Sequence, residues 1–288
     1  LVSYPYKTHR IALPGNCEIA YVDEGRGEQT ILFIHGLANY AMVWQKNIEH
    51  LKHNYRCIAI DLPGNGLSGR NEHDFSIKFF AESVYAFIKA MGLKKLCIAG
   101  HSMGGQVAMT LLINHPECAE KLVLCAPAGL EEFSSFDKTL FFAGYHLFDM
   151  VSSEEGMLRK TIEHSFYHHG TQAESVIKEL TDIMKTYKLN YYRKMIDGCI
   201  KGMIEEPVLD RVHLIKQPTL ILFGMHDALI PNKLLHHYTP EKMARDAVKK
   251  FPSATLEMFA NCGHFLQWEK AEEVSESIVM FLKRAGTM

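Results

Sequence analysis

The chain has 288 residues, 47% of them hydrophobic and 22% charged, with a formal net charge of −2. That length and apolar content supply a sizeable core and exclude a disordered chain, and the near-neutral charge gives no electrostatic footing for nucleic acid or an anionic membrane. Seven cysteines without a Cys-x-x-Cys pair and sixteen histidines without a His-Glu-x-x-His run point to neither a disulfide framework nor a metal site. No apolar run is long enough to span a bilayer. A cytoplasmic location is expected, and the start at Leu1 leaves room for an exported form whose leader was removed.

In chain order, two short strands are expected around Arg10–Leu13 and Glu18–Val22, with Pro14-Gly15-Asn16 turning between them. The run Thr30 to Ile34 is continuously apolar, as for a strand covered on both faces, and ends in His35-Gly36-Leu37. A helix is expected over 41–51, then a buried strand from Arg56 to Asp61 and a loop from Leu62 to Gly69. Ser76 can cap a helix whose apolar positions Ile77, Phe80, Val84, Phe87 and Ile88 follow helical spacing, with Gly92 as its stop. Further strands are expected at 96–99, 122–126, 219–224 and 254–259, with helices after 102, near 232–249 and at the C-terminus. Strands alternating with helices on this rhythm imply a parallel sheet with right-handed crossovers.

The rhythm breaks at Pro127. From 127 to 210 the pattern is helical and rich in aromatic residues, among them Phe133, Phe136, Phe141, Phe148, Tyr167 and Tyr192. It reads as a helical cap over the carboxyl edge of the sheet, inserted between a first core part at 1–126 and a second at 211–288. Most of its aromatics are expected to pack the cap and a minority to line a pocket. His168-His169 and His236-His237 read as solvated surface.

The stretch Gly100-His101-Ser102-Met103-Gly104-Gly105 lies between a buried strand and a helix. Gly-x-Ser-x-Gly in that setting reads as a nucleophile elbow, in which a side chain at Gly100 or Gly104 would collide with the crossing chain. The serine is presented beside a helix N-terminus, whose partial positive charge and unpaired N–H groups favour an oxyanion. A parallel sheet places its chemistry at the carboxyl ends of its strands. There the sequence offers His35-Gly36-Leu37, Asp61, Ser102, Asp227 and His264.

Ser102 needs a base, His264 supplies one, and Asp227 would fix the tautomer of that histidine. The oxyanion donors are expected to be the amides of Met103 and Leu37, with Gly36 allowing close approach. Asp61 reads as bonding its own turn rather than as the acid, and His35 as bracing the oxyanion loop rather than as a base. His101 and His226 read as structural. Asp137, Asp149 and Asp182 read as helical surface.

Taken together, His35-Gly36, Asp61 to Ser68, Gly100 to Gly105, Gly224 to Pro231 and Gly263-His264 resemble the capped α/β-hydrolase superfamily. The resemblance implies an α/β fold with a mostly parallel eight-stranded sheet flanked by helices and a helical cap. In the similar epoxide hydrolases and haloalkane dehalogenases the nucleophile is an aspartate, where Ser102 stands here. The serine-bearing relatives are esterases and lipases, meta-cleavage-product C–C hydrolases and cofactor-free haloperoxidase-type esterases. The segment Gly263 to Glu269 looks like that of the C–C hydrolases. Leu37-Ala38-Asn39-Tyr40 and Asp227-Ala228, however, replace their Ser-Gly-Pro-Gly type loop and the Arg near their acid.

The resulting expectation is a serine hydrolase that cleaves carboxylic esters of small to medium apolar groups through an acyl-enzyme. It would need no cofactor and no metal, and its partner would be a small apolar ester or related carbonyl compound. C–C hydrolysis of a dienoate ketone is the alternative, with thioesters, amides and perhydrolysis behind it. A ligand receptor on a hydrolase scaffold is the alternative from another class. The oligomeric state stays open.

Overall fold

The computed structural model describes residues 4–151, 153–168 and 170–284, without the side chains of 146–151. The side chains of Phe148 and Asp149 and the whole of His169 therefore lie outside the described residues. An antiparallel hairpin opens the chain, β1 (Thr8–Leu13) against β2 (Cys17–Glu24). Its turn works because Gly15 and Asn16 accept φ of 75° and 56°.

The remaining strands are β3 (Thr30–Ile34), β4 (Arg56–Ile60), β5 (Leu96–His101), β6 (Lys121–Cys125), β7 (Thr219–Gly224) and β8 (Ala254–Phe259). They form one eight-stranded sheet in the order β1-β2-β4-β3-β5-β6-β7-β8. Both pairings of β2 are antiparallel and every pairing from β4 onward is parallel. Every residue of β3, β5, β6 and β7 is buried, because helices cover both faces, and this is why those strands read as unbroken apolar runs.

The core helices are α1 (Gln45–Leu51), α2 (Ile77–Ala90) and α3 (Met103–Asn114). Four more follow β6: α4 (Ser135–Val151), α5 (Glu154–Ser165), α6 (Thr171–Met184) and α7 (Leu189–Glu205). After β7 come α8 (Pro240–Val248), α9 (Leu266–Glu269) and α10 (Ala271–Arg284). The Ser76 hydroxyl accepts the Phe79 N–H at 3.0 Å to start α2, and Gly92 (φ 59°) ends it.

Two helices differ from expectation. The segment 41–51 begins as a 3₁₀ turn, Ala41–Trp44, whose first N–H donates to Asp61 Oδ1 at 2.8 Å, before α1 takes over. The helix expected near 232–249 starts only at Pro240. Proline lacks an N–H, fixes its own φ and drives the preceding residue out of the helical region. Thr239 is accordingly extended (φ −79°, ψ 159°) and caps α8 by accepting the Lys242 N–H at 3.2 Å.

The four helices between β6 and β7 are tied to the core midway, after α5, and again beyond α7. The Ser165 carbonyl at the end of α5 accepts the His264 N–H at 2.7 Å. Beyond α7, Gln106 Nε2 donates to the Glu206 carbonyl at 2.8 Å, and the Glu206 carboxylate accepts the Ile77 and Lys78 N–H groups at the start of α2. Among the described residues no helix is long and apolar enough to cross a membrane.

Candidate active site

Ser102 joins β5 to α3 with φ 53° and ψ −120°, a region that L-residues seldom occupy. Strain of this kind costs on the order of 1–3 kcal/mol and persists only where the surroundings enforce it. They do so here: the Ser102 N–H donates to the Cys125 carbonyl at 3.0 Å, and its carbonyl accepts from Gly105 (2.9 Å) and Ala128 (3.0 Å). The glycines permit the crossing. A Cβ on Gly100 would come within 2.4 Å of the Gly104 carbonyl oxygen, and one on Gly104 within 2.4 Å of the Ile34 oxygen.

Met103 is the first residue of α3, so its N–H has no acceptor within the helix. On the opposite side runs the loop after β3. Gly36 lies so close that a Cβ there would be 3.0 Å from Ser102 Cβ, and Ala38 turns the loop with φ 53°. His35 fastens this loop from beneath. Its Nε2 accepts the Leu62 N–H at 2.9 Å, so Nδ1 carries the proton and donates to the Gly36 carbonyl at 2.8 Å. Full burial lowers its pKa to about 4 and keeps it neutral.

Asp227 follows β7 and is fully buried, with Oδ1 accepting the Leu229 and Ile230 N–H groups at 2.8 and 3.0 Å. Its Oδ2 lies 2.7 Å from Nδ1 of His264, which follows β8. Ser102, His264, Gly36 and Leu37 all line one cavity of about 370 Å³, within the size range of small-molecule sites. Phe133, Phe141, Tyr145, Leu158, Ile162 and Tyr192 supply its apolar wall. Other aromatics of the insert go elsewhere: Phe166 stacks on Phe265 at 5.1 Å, and Phe136 is 73% exposed.

The neighbouring groups have their own partners. Asp61 accepts from Leu67 N (2.7 Å) in its own turn, and also from Ala41 N and the Tyr4 hydroxyl at 2.6 Å. Burial raises its pKa to about 6. His101 Nε2 donates to the His264 carbonyl at 3.0 Å, and burial holds its pKa well below the ordinary histidine value. His226 is exposed against Tyr167. Asp137 caps α4 through Ser134, and Asp182 pairs with Lys178 on an exposed face. Among the described residues no group of three or more His, Cys, Asp or Glu is placed to hold a metal ion.

Two polar residues in the cavity wall escaped the reading of the sequence. Asn39 is 6% exposed and its Oδ1 is buried without a hydrogen-bond partner. Glu131, also 6% exposed, is the first charged residue after β6, and its Oε1 accepts the Asn232 N–H at 2.7 Å. Burial, aided by the charge of Asp227, raises its pKa to about 7. The strand-end rule that located Asp227 and His264 reaches Glu131 when it is applied past β6 as well. His236, expected at the surface, has a side chain only 9% exposed, with Nε2 3.4 Å from Glu131 Oε1. His168 and His237 are exposed as expected.

Residues 29–271 match the family described as alpha/beta hydrolase fold. A 2-hydroxy-6-oxononadienedioate/2-hydroxy-6-oxononatrienedioate hydrolase of Burkholderia vietnamiensis is 24% identical over 92% of this chain and 91% of its own length. The dihydrolipoyllysine-residue acetyltransferase component of an acetoin cleaving system from Cupriavidus necator is 26% identical over 88% of this chain, which spans 64% of that protein. Among solved structures, a thermophilic esterase from Thermogutta terrifontis superposes with a TM-score of 0.80 at 22% identity, covering 98% of this chain and 100% of the esterase.

Proposed function

Since the chain belongs to the α/β-hydrolase fold family, we propose that it is a serine hydrolase of carboxylic esters with small to medium apolar groups. The observation that carries this reading is the serine held in a strained elbow on the same cavity as a histidine paired at 2.7 Å with a buried aspartate. In the proposed mechanism Asp227 keeps the proton of His264 on Nδ1, which leaves Nε2 to take the proton of Ser102. Ser102 Oγ attacks the carbonyl, and the amides of Met103 and Leu37 receive the oxyanion. His264 then protonates the departing alcohol, and water repeats the cycle on the acyl-enzyme. Gly36, Gly100, Gly104 and His35 are assigned supporting roles, and the insert of 127–210 is assigned the role of a cap that shapes the cavity.

The charges in the wall favour an uncharged substrate. Among the described lining residues the charged side chains besides histidine are Glu131, Glu154 and Arg193, and Arg193 is ion-paired with Glu154. A dienedioate would bring its carboxylates into a cavity that already holds Glu131. This supports ester cleavage over C–C cleavage, and the serine at position 102 in place of an aspartate disfavours epoxide opening.

The test is turnover of a short-chain p-nitrophenyl ester by wild type and Ser102→Ala. The proposal expects multiple turnovers by wild type and a loss of at least about a thousandfold in kcat for the variant. A single stoichiometric burst without turnover would point to a receptor on a hydrolase scaffold instead.

A further inference from the structure

We infer that Glu131 is a second carboxylate of the site, one that positions the loop bearing Asp227 and whose negative charge favours the imidazolium of His264. The inference rests on the proposed roles of Ser102 and His264. The sheet order makes it geometrically natural: β6 lies between β5, which leads into Ser102, and β7, which leads into Asp227. The chain leaving β6 therefore rises between the nucleophile and the acid, and Glu131 is the first charged residue on it.

Two carboxylates hold the loop 225–239. Asp227 fastens its first part through the Leu229 and Ile230 N–H groups. Glu131 fastens the next part by accepting the Asn232 N–H at 2.7 Å, with the His236 ring 3.4 Å away. A glutamine would accept the Asn232 N–H equally well, so the pinning alone gives no reason for a charge in an apolar wall. The ionisable groups around Glu131 are Asp227, His264, His236 and Tyr238, and His236 in turn feels Asp137 and His237.

Within this set Asp227 is the like charge that disfavours ionisation of Glu131, and His264 is the one that favours it. The relation is mutual. When His264 takes the proton of Ser102, the new cation is paired with Asp227 and lines the same cavity as Glu131. Both carboxylates then stabilise a charge that exists only after the proton has moved. The Glu131 charge itself comes and goes near neutrality, since burial pushes its pKa up to about 7.

The test uses the rate at which a fluorophosphonate labels Ser102, a reaction that needs the neutral base but no particular substrate. Labelling is followed from pH 5 to 9 in wild type, Glu131→Gln, Glu131→Asp and Glu131→Ala. For Glu131→Gln the expected plateau lies within about threefold of wild type, with the midpoint moved to lower pH by about half a unit or more. Glu131→Asp, which keeps the charge, should return the midpoint towards wild type. Glu131→Ala should show the same shift as Gln with a plateau about tenfold lower, because Asn232 loses its acceptor. If Glu131→Ala does not fold, the Gln and Asp variants still decide the question. Coincident midpoints for wild type and Glu131→Gln would overturn the inference and leave the roles of Ser102 and His264 standing. A wild type that is not labelled at any pH would remove those roles, and the inference with them.

Discussion

An imidazole that accepts through one nitrogen and donates through the other must be neutral, and His35 does both at once. Protonating Nε2 would cost the Leu62 hydrogen bond and place a charge in a fully buried site. Its pKa in the fold, about 4, lies below the ordinary 6.5. Between those values the unfolded chain binds the proton that the native state refuses. The stabilisation is therefore complete above pH 6.5 and is lost as pH falls towards 4. Asp61 works in the opposite sense: its folded pKa of about 6 lies above the ordinary 3.8, so its contribution is complete below that value and is lost as pH rises through 6. Whole-protein stability thus blends two opposing slopes, and only a variant separates them. Against His35→Gln, the stability advantage of wild type should be largest above pH 6.5 and shrink by about 3 kcal/mol on the way to pH 4. Urea unfolding of both proteins at pH 7.5, 5 and 4 measures the gap, and a gap independent of pH would refute the assignment.

At the scale of the element, α3 is seated against the end of β3 by the absence of a side chain. A methyl on Gly104 would meet the Ile34 and His35 carbonyl oxygens at 2.4 and 2.5 Å, all of it backbone that cannot rotate away. Gly104→Ala should therefore lift the N-terminus of α3 from the sheet. The expected cost is about 1–3 kcal/mol in stability. Activity should fall by about a hundredfold or more, since the Met103 amide and Ser102 move together. An active and equally stable Gly104→Ala variant would contradict this seating. The same geometry explains what the sequence disclosed. Crossing chains demand glycines, and strands covered on both faces demand unbroken apolar runs, so the elbow and the parallel strands were legible. The start of α8 was not. Leu234 and Leu235 continue an apolar pattern, yet Asn232 is held from outside by Glu131, and Pro240 sets the boundary. Glu131 stayed hidden because only its place after the end of β6 marks it, while its partners lie about a hundred residues downstream.

For the molecule as a whole, the question is how the four helices between β6 and β7 keep register with the proposed site on the sheet. The answer lies in the backbone around His264. The Ser165 carbonyl at the end of α5 accepts both the His264 and Phe265 N–H groups, at 2.7 and 3.3 Å. Glu269 on α9 then clamps the two segments from the side: one carboxylate oxygen accepts the Gly263 N–H and the other the Tyr167 N–H, each at 2.8 Å. The residue before His264 and the chain leaving α5 thus share a single carboxylate. Any displacement of α5 at this junction is passed to the histidine. Glu269→Ala leaves the Gly263, Tyr167 and His168 N–H groups without their acceptor and loosens His264 while the cavity walls stay in place. The expected result with the p-nitrophenyl ester is a fall in kcat of about tenfold, with KM changed far less, because substrate contacts persist while proton transfer loses its alignment. A change confined to KM would mean that the junction after α5 shapes the cavity without positioning His264.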